Sequence, residues 1–212
     1  IVRLYIFSKL LFNKLKQQYS HLPVIKNIEI KQPKFIKFYQ EIEAEATDNL
    51  LILLKDGYSV SLVSSAGTPL ISDPGYLLVK KCFESKIKVE SVPGPSAFLT
   101  ALTSSGLSAN QLLFLGFIPK KMSKKDKLFK NLYRLLGNSD LKPTIIFYES
   151  PFRLIRTLKT MFKIFGDIEI VVGRELTKIH EHVAKMKISE ALNKFEKTKG
   201  EFVILFQKMN HE

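Results

Sequence analysis

Hydrophobic and polar positions in the first half of the chain alternate between the period of strands and that of helices. Residues 35–55 follow a mostly helical pattern, which Gly57 is expected to end. Tyr58–Val63 and Lys88–Val92 are predicted strands, and each leads into a polar turn and then a helix. This alternation predicts an α/β fold with a largely parallel sheet.

The second half repeats strand and helix patterns, and we predict a domain boundary near residues 109–111. The first domain would then span residues 1–110 and the second residues 111–212. Apolar runs predict four strands in the second domain, at Leu112–Ile118, Thr144–Ser150, Ile168–Leu176 and Gly200–Phe206. Apolar residues at helical spacing predict a helix from Pro151 to Phe165, ended by Gly166. We expect a mixed sheet in this domain.

Two polar turns follow the predicted strands of the first domain, Ser64–Gly75 ("SSAGTPLISDPG") and Pro93–Ser96 ("PGPS"). Carboxyl ends of parallel strands meet at one edge of a sheet, where α/β proteins bind ligands. Gly67 and Gly75 would let the backbone approach a ligand closely. Asp73 is expected to cap the next helix, with Pro74 at its first position. A turn that merely joins strand to helix is an equally good interpretation of the first loop.

The chain is strongly basic, with a formal net charge of +13 and an isoelectric point near 9.7. Such a charge indicates a polyanionic partner, nucleic acid first, unless all proteins of the source are equally lysine-rich. The charge is concentrated in "KKMSKKDKLFK", which has six lysines in eleven residues. This run is either a solvated loop or a contact with RNA phosphates. We predict phosphate contact by part of this run, Lys120, Lys121, Lys124, Lys125 and Lys127, and by Arg153.

Several classes of function find no support in the sequence. No apolar run approaches the roughly 18 residues of a membrane span, and the single Cys82 is typical of a reducing compartment. The glycine-rich signatures of dinucleotide-binding and P-loop proteins are not present. His180 and His182 are spaced wrongly for the helical zinc motif, so we place them on a surface loop and predict no metal site.

Six segments, "LVSSAGTPLISDPGYLLV", "VPGPSAFLTAL", "FLGFIPKK", "IIFYESPFRL", "VVGRELTKIHE" and "KGEFVIL", occur in this order. Together they resemble the bacterial small-subunit ribosomal RNA 2′-O-methyltransferases of the tetrapyrrole methylase superfamily. The resemblance implies a two-domain tetrapyrrole methylase-like fold, with S-adenosylmethionine bound in the cleft between the domains. It also implies a cytoplasmic homodimer that methylates a cytidine 2′-hydroxyl in the decoding region of the small ribosomal subunit.

The resemblance also implies functional residues, and it separates cofactor contacts from candidates for catalysis. The cofactor contacts are Ser65, Ala66, Gly67, Thr68, Pro69, Pro93, Gly94, Pro95, Ser96, Tyr148 and Ser150. The catalytic candidates are Glu149, Glu175 and Arg174, and the two carboxylates are the candidates for a general base. A structural ion pair between Glu149 and Arg174 is an equally good interpretation of those two residues.

Two departures from the family pattern bear on activity. Ser65 stands where the family usually has an aspartate, so a carboxylate is replaced by a neutral hydroxyl. A first strand with a Pro-x-Gly-Asn loop, about forty residues for a strand–helix unit, is not recognised at the start. We therefore expect a less stable chain, because neighbouring strands would lose their partners. Two alternatives stay open: a non-catalytic remnant of this enzyme, and a methyltransferase that acts on a small tetrapyrrole.

Overall fold

The structure is a computed structural model that describes residues 3–8, 35–138 and 141–207, with the backbone alone for residues 3–8. The chain divides into two compact units, Ile1–Ser96 and Ala97–Glu212. This division falls before the boundary at residue 110 that the sequence pattern predicts. The segment between the two positions contains a helix that packs in the second unit, as described below.

In the residues that the structure describes, the N-terminal unit contains a three-stranded parallel sheet with two helices. A 3₁₀ turn at Gln40–Ile42 precedes the first helix. The elements in chain order are β1 (Arg3–Ser8), α1 (Glu43–Lys55), β2 (Val60–Ser64), α2 (Tyr76–Glu84) and β3 (Lys88–Ser91). The strand order is β2–β1–β3, and β1 pairs in parallel with both neighbours. The predicted parallel sheet is confirmed, although the sequence analysis had assigned no strand to β1.

Both helices of this unit bury apolar side chains against the sheet. Leu50 and Leu54 of α1 pack with Leu62 of β2 and with Leu78 and Cys82 of α2. Burial raises the pKa of the Cys82 thiol. The predicted helix from residue 35 was too long, because residues 35–39 form no helix.

The start of α2 corrects the predicted Asp73 cap. The helix begins after Gly75, which has a φ of 132°. The Glu43 carboxylate at the start of α1 accepts hydrogen bonds from the backbone N–H groups of Gly75 (2.9 Å) and Leu77 (3.1 Å). A carboxylate remote in sequence therefore satisfies the free donors of this helix.

The described part of the C-terminal unit, residues 97–138 and 141–207, contains a five-stranded sheet with four helices. Its elements are α3 (Ala97–Thr103), β4 (Leu112–Phe117), α4 (Met122–Gly137), β5 (Thr144–Glu149), α5 (Pro151–Phe165), β6 (Glu169–Arg174), β7 (His182–Lys187), α6 (Ile188–Lys194) and β8 (Phe202–Phe206). The strand order is β4–β5–β8–β6–β7. Strands β4 and β5 are parallel and the other pairs are antiparallel, so the predicted mixed sheet is confirmed.

Each face of this sheet is covered by helices. On one face, Phe147 and Ile204 belong to the core that α4, α5 and α6 complete. On the other face, Ile146 and Val203 pack with Ala101 of α3. Helix α3, which we predicted in the first domain, therefore contributes to the core of the second unit.

Two elements of this unit differ from the prediction. Strand β7 is the outermost strand of the sheet and begins at His182, which we predicted to lie in a surface loop. The lysine run lies mainly on α4, which begins at Met122, rather than in a loop. In both segments lysine is frequent, and lysine by itself does not distinguish strand, helix and loop.

Candidate functional site

In the N-terminal unit, the two predicted cofactor loops lie together at the carboxyl ends of β2 and β3. The Thr68 hydroxyl donates to the Pro95 carbonyl oxygen over 3.0 Å and joins the loops. The Ser64 hydroxyl donates to the Ala66 carbonyl oxygen (2.7 Å), which fixes the first turn after β2. Gly67 has a φ of 68°, a left-handed conformation that favours glycine. The structure therefore brings Ser64–Pro69 and Pro93–Ser96 together, as the resemblance implies.

In the C-terminal unit, the predicted residues Tyr148–Ser150, Arg174 and Glu175 lie along one edge of the sheet, the edge formed by the ends of neighbouring strands. Glu149, Phe202, Arg174 and His182 occupy successive strands in register, on β5, β8, β6 and β7. Tyr148–Ser150 and Arg174–Glu175 are consequently at the same sheet edge. Since Glu149 and Arg174 are two strands apart, their backbones are separated by about 10 Å.

Tyr148 and Glu149 point to opposite faces of the sheet, because neighbouring strand residues alternate. The Tyr148 hydroxyl accepts a hydrogen bond from the Phe98 backbone N–H (3.2 Å) at the start of α3. Its ring lies edge-on to Phe114, with ring centroids 5.1 Å apart. Ser150 follows and precedes α5, whose first residue is Pro151.

Glu149 is the centre of a buried polar network and is only 1% exposed. Its Oε1 accepts hydrogen bonds from the Ser150 N–H (2.8 Å) and lies 2.7 Å from Arg153 Nη2. Its Oε2 accepts from the Thr157 hydroxyl (2.5 Å), which in turn accepts from Lys125 Nζ (2.6 Å). Burial lowers the pKa of the Lys125 ammonium, an effect that the nearby Glu149 carboxylate opposes. Both carboxylate oxygens are therefore occupied by protein donors.

This network corrects several predictions. Lys125 is 2% exposed and faces Glu149, so it does not present its charge to RNA. Arg153 uses its two terminal nitrogens for Glu149 and for the Ile118 carbonyl oxygen (3.2 Å). The alternative ion pair of Glu149 with Arg174 is wrong, because Glu149 pairs with Arg153 and Lys125 instead.

Glu175 lies in a second, more open network that ties the loop after β6 to the segment before β8. Its backbone N–H donates to the Glu201 carbonyl oxygen (3.0 Å), and its Oε1 accepts from the Glu201 N–H (2.8 Å). Lys178 Nζ lies 3.2 Å from Glu175 and 2.9 Å from Glu201. The Glu201 N–H, assisted by Lys178 and Arg174, lowers the pKa of the Glu175 carboxyl, although desolvation opposes the effect.

The residues around Arg174 form a cavity of about 390 Å³ that the sequence did not predict. Its lining includes Arg174, His182, Lys194, Phe195 and Thr198. The Arg174 Nε donates to the Lys199 carbonyl oxygen over 2.8 Å. His182 lies on β7 rather than in a loop, and its Nε2 is 3.0 Å from Lys194 Nζ. Burial first, then Lys194 and Arg174, lower the pKa of His182.

The predicted RNA contacts divide by exposure. Lys120, Lys121, Lys124 and Lys127 are exposed around the start of α4, unlike Lys125. No acidic residue stands in the first turn of that helix, whose N-terminus carries partial positive charge.

Within residues 35–138 and 141–207, no group of His, Cys, Asp and Glu side chains is arranged to hold a metal ion. None of the described helices is both long and apolar enough to cross a bilayer.

Proteins with curated names resemble this chain over most of its length. It is 38% identical to ribosomal RNA small subunit methyltransferase I of Thermotoga maritima, over 86% of this chain and 79% of that protein. The protein of the same name from Hydrogenobaculum is 36% identical over 88% and 80%. The Rickettsia prowazekii protein of that name is 44% identical, over 74% of this chain but only 54% of its own length.

Solved structures share the fold at low sequence identity. The methyltransferase CobJ aligns with a TM-score of 0.60 at 15% identity, over 100% of this chain and 85% of that one. The uroporphyrin-III C-methyl transferase of Thermus thermophilus, solved with S-adenosyl homocysteine, aligns with a TM-score of 0.57 at 14% identity, over 95% and 84%.

A family description completes these comparisons. Residues 8–192 match the tetrapyrrole (corrin/porphyrin) methylases, and this range includes all the predicted site residues. The chain therefore belongs to the tetrapyrrole methylase family, together with the proteins named ribosomal RNA small subunit methyltransferase I.

Proposed function

We propose that this protein transfers a methyl group from S-adenosylmethionine to a cytidine 2′-hydroxyl in the decoding region of small-subunit ribosomal RNA. The observation that carries the proposal is the 38% identity to a protein named ribosomal RNA small subunit methyltransferase I over 86% of this chain. The reaction would take place in the cytoplasm, with the small ribosomal subunit or its RNA as partner. The acting form would be a homodimer.

The cofactor loops of the N-terminal unit fit S-adenosylmethionine. When bound, this cofactor supplies an electrophilic methyl group on a positively charged sulfonium. The segments Ser65–Pro69 and Pro93–Ser96 offer small side chains and backbone groups, and Thr68 holds them together. Gly67 has no side chain to obstruct close approach, and a Cβ there would meet only the Pro95 oxygen, at 3.6 Å. Tyr148 and Ser150 are the cofactor candidates of the C-terminal unit.

The two carboxylates proposed as bases, Glu149 and Glu175, differ in burial and in how many of their oxygens protein donors occupy. Glu149 is buried with both oxygens occupied, which supports a structural role. Glu175 remains the candidate base, because its side chain is 18% exposed and protein donors contact only its Oε1 among the described residues. Its lowered pKa keeps it ionised at neutral pH and makes it a weak base, so its contribution would be the positioning of a hydroxyl proton. Arg174 is suited to contact a phosphate.

The exposed lysines around the start of α4 are a second set of proposed RNA contacts, apart from the sheet edge that carries Arg174 and Glu175. Lys120, Lys121, Lys124 and Lys127 would neutralise phosphates along the RNA backbone. Loss of two of them, in the double variant Lys124→Ala, Lys127→Ala, should lower the dependence of RNA affinity on salt. A salt dependence equal to that of the unaltered chain would remove these lysines from the proposal.

The function is tested by methyl transfer from labelled S-adenosylmethionine to small-subunit RNA, to intact small subunits and to a porphyrin. We expect transfer to a cytidine 2′-oxygen, read as resistance of that linkage to alkaline hydrolysis. Transfer to the porphyrin alone would favour the small-tetrapyrrole alternative. Binding of the cofactor without transfer to any acceptor would favour the non-catalytic remnant.

The same assay tests Glu175. The variant Glu175→Gln keeps an Oε1 acceptor for the Glu201 N–H but loses the carboxylate charge. We expect transfer to slow by about 10²-fold while cofactor binding is retained, the lower end of the range for general-base catalysis, because Glu175 is a weak base. Glu201→Gln is the matched control, because Glu201 carries an exposed carboxylate in the same network. Unchanged turnover in Glu175→Gln would exclude this residue as a base.

A further inference from the structure

The cavity beside Arg174 concentrates positive charge that no close ion pair within the described residues neutralises, although the Glu175 carboxylate lies near enough to Arg174 to interact with it electrostatically. Arg174 and Lys194 both line it, together with the imidazole of His182. Arg174 donates to a neutral carbonyl oxygen of Lys199 (2.8 Å), and Lys194 contacts neutral or cationic groups. Among the residues that the structure describes, neither cation forms an ion pair with a carboxylate. Like charges held close together destabilise the fold unless an anion joins them.

One acidic side chain lines the same cavity but does not cancel its charge. Glu181 directs an oxygen to the backbone N–H of Thr177, where it serves the turn after β6. Lys194 is held instead between His182 Nε2, at 3.0 Å, and the Phe195 ring, whose centroid is 5.8 Å away. Among the lining residues, Arg174, Lys194 and Glu181 together leave one positive charge before either histidine is protonated. The Glu175 carboxylate near Arg174 does not line the cavity, and its Oε1 is already contacted by Lys178 and the Glu201 N–H.

We infer that this cavity binds a phosphate group, and that the backbone of the RNA substrate supplies it. A guanidinium pairs well with the oxygens of a phosphate, and a lysine ammonium adds a point charge. The volume of about 390 Å³ exceeds what a phosphate alone would fill, so a nucleotide segment suits it better. Phe195 is only 4% exposed and belongs to the core, so it closes the cavity floor and the ligand contacts come from the polar lining. The assignment of RNA as the source rests on the proposed function.

The cavity lies on the face of the sheet that α4, α5 and α6 cover, whereas Tyr148 points to the face that α3 covers. Side chains at every second position of a strand point to the same face of a sheet. Arg174, His182 and Phe202 therefore share a face with the core residues of their own strands, Val172, Met186 and Ile204, which pack under α4, α5 and α6. A phosphate here would be held at the sheet edge on the face opposite the Tyr148 ring. The site would thereby orient the RNA without occupying the cofactor loops.

The first arm of the test uses inorganic phosphate and the complete chain. The pKa of His182 is followed by NMR as phosphate is added. A bound phosphate should raise this pKa, because its charge opposes the effects of Lys194 and Arg174. The shift should shrink in Lys194→Gln and persist in Lys197→Gln, an exposed lysine that does not line the cavity. Absence of any shift in the unaltered chain would overturn the phosphate site.

The second arm measures the affinity for a short single-stranded RNA against salt concentration. Loss of one phosphate contact should reduce the slope of log K against log salt by about 0.7 in Lys194→Gln. Lys197→Gln should keep the slope, and Lys194→Arg should restore it. A phosphate-induced shift of His182 together with an unchanged RNA slope in Lys194→Gln would overturn the RNA backbone as the source.

The two arms also separate this inference from the proposed function. Methyl transfer by the unaltered chain tests the function without reference to Lys194. If transfer to RNA occurs while neither phosphate nor Lys194→Gln has an effect, the cavity site fails and the function stands. If His182 responds to phosphate but the unaltered chain neither binds nor methylates RNA, the function fails and RNA is excluded as the source of the phosphate.

Discussion

Two polar clusters lie at the same edge of the C-terminal sheet, and they differ in whether a carboxylate pairs with their cations. At Glu149, two cations and a threonine surround one buried carboxylate. At Arg174, two cations line an open cavity and contact neutral groups. The first cluster is complete within the protein, whereas the second has charge left for a ligand.

The comparison shows why residue type alone does not assign function at this edge. Lys125 and Lys194 are both lysines on helices over the same sheet face. Lys125 is 2% exposed and donates to Thr157, so its charge serves the fold. Lys194 is exposed at the end of α6 and is available to a partner. Burial and the presence of a carboxylate decide between the two roles.

The largest expected effect comes from breaking the closed cluster. Glu149→Ala would leave Lys125 buried without its carboxylate, so the free energy of unfolding should fall by about 3–5 kcal/mol. Denaturant unfolding measures the change. The control Glu169→Gln removes an exposed pair with Lys185 and should cost about 0–1 kcal/mol. A loss below about 1 kcal/mol in Glu149→Ala would mean that the cluster is not structural.

An intermediate effect should follow from crowding Glu175, which lies next to Arg174 in the chain. Gly200 has a φ of 120°, and a Cβ there would lie 2.8 Å from Glu175 Cγ. Gly200→Ala should therefore lower the free energy of unfolding by about 1–3 kcal/mol and slow methyl transfer by displacing Glu175. Gly106→Ala is the control, since Gly106 has a φ of 70° but no neighbour within 4 Å. Equal losses of stability and unchanged transfer would show that Glu175 is not displaced.

The smallest expected effect is a pH dependence of stability that arises from His182 in the open cluster. The folded pKa of His182 is lowered from its usual value of 6.5, mainly by burial and then by Lys194 and Arg174. The unfolded chain then binds the proton more readily, so stability should be full above about pH 6.5 and fall as pH drops below it. Unfolding at several pH values, compared with His182→Gln, isolates this contribution. An identical pH dependence of stability in the variant would contradict a contribution from His182. Added phosphate should make the loss of stability at low pH smaller in the unaltered chain.

The apolar strands and the loops beside them could be predicted from the sequence. The β-branched runs of β5, β6 and β8 identify buried strands, and Pro151 and Gly166 bound α5. The turns after β2 and β3 carry glycine and proline where a parallel sheet needs sharp loops. These signals are local, so the pattern along the chain contains them.

The remaining features depend on partners that are distant in sequence. Glu43 caps α2 from the start of α1, and no local pattern at Asp73 reveals that. The environment of Glu149 is set by Lys125 and Thr157, which reach it only after the helices pack. Strand β7 alternates in the sequence His-Val-Ala-Lys-Met-Lys, a signal weakened by alanine and lysine, which strands disfavour.

The position of β1 has a consequence for the order in which the protein folds. This strand joins β2 to β3, and Leu4 pairs with both Val60 and Val89. During synthesis β1 leaves the ribosome well before either partner exists, and the loops to be closed are long. The N-terminal sheet should therefore form late and slowly, since ordering distant strands delays folding more than local contacts do. Until β2 and β3 are available, the backbone groups on both sides of β1 stay unpaired, and such strand edges promote association with other chains.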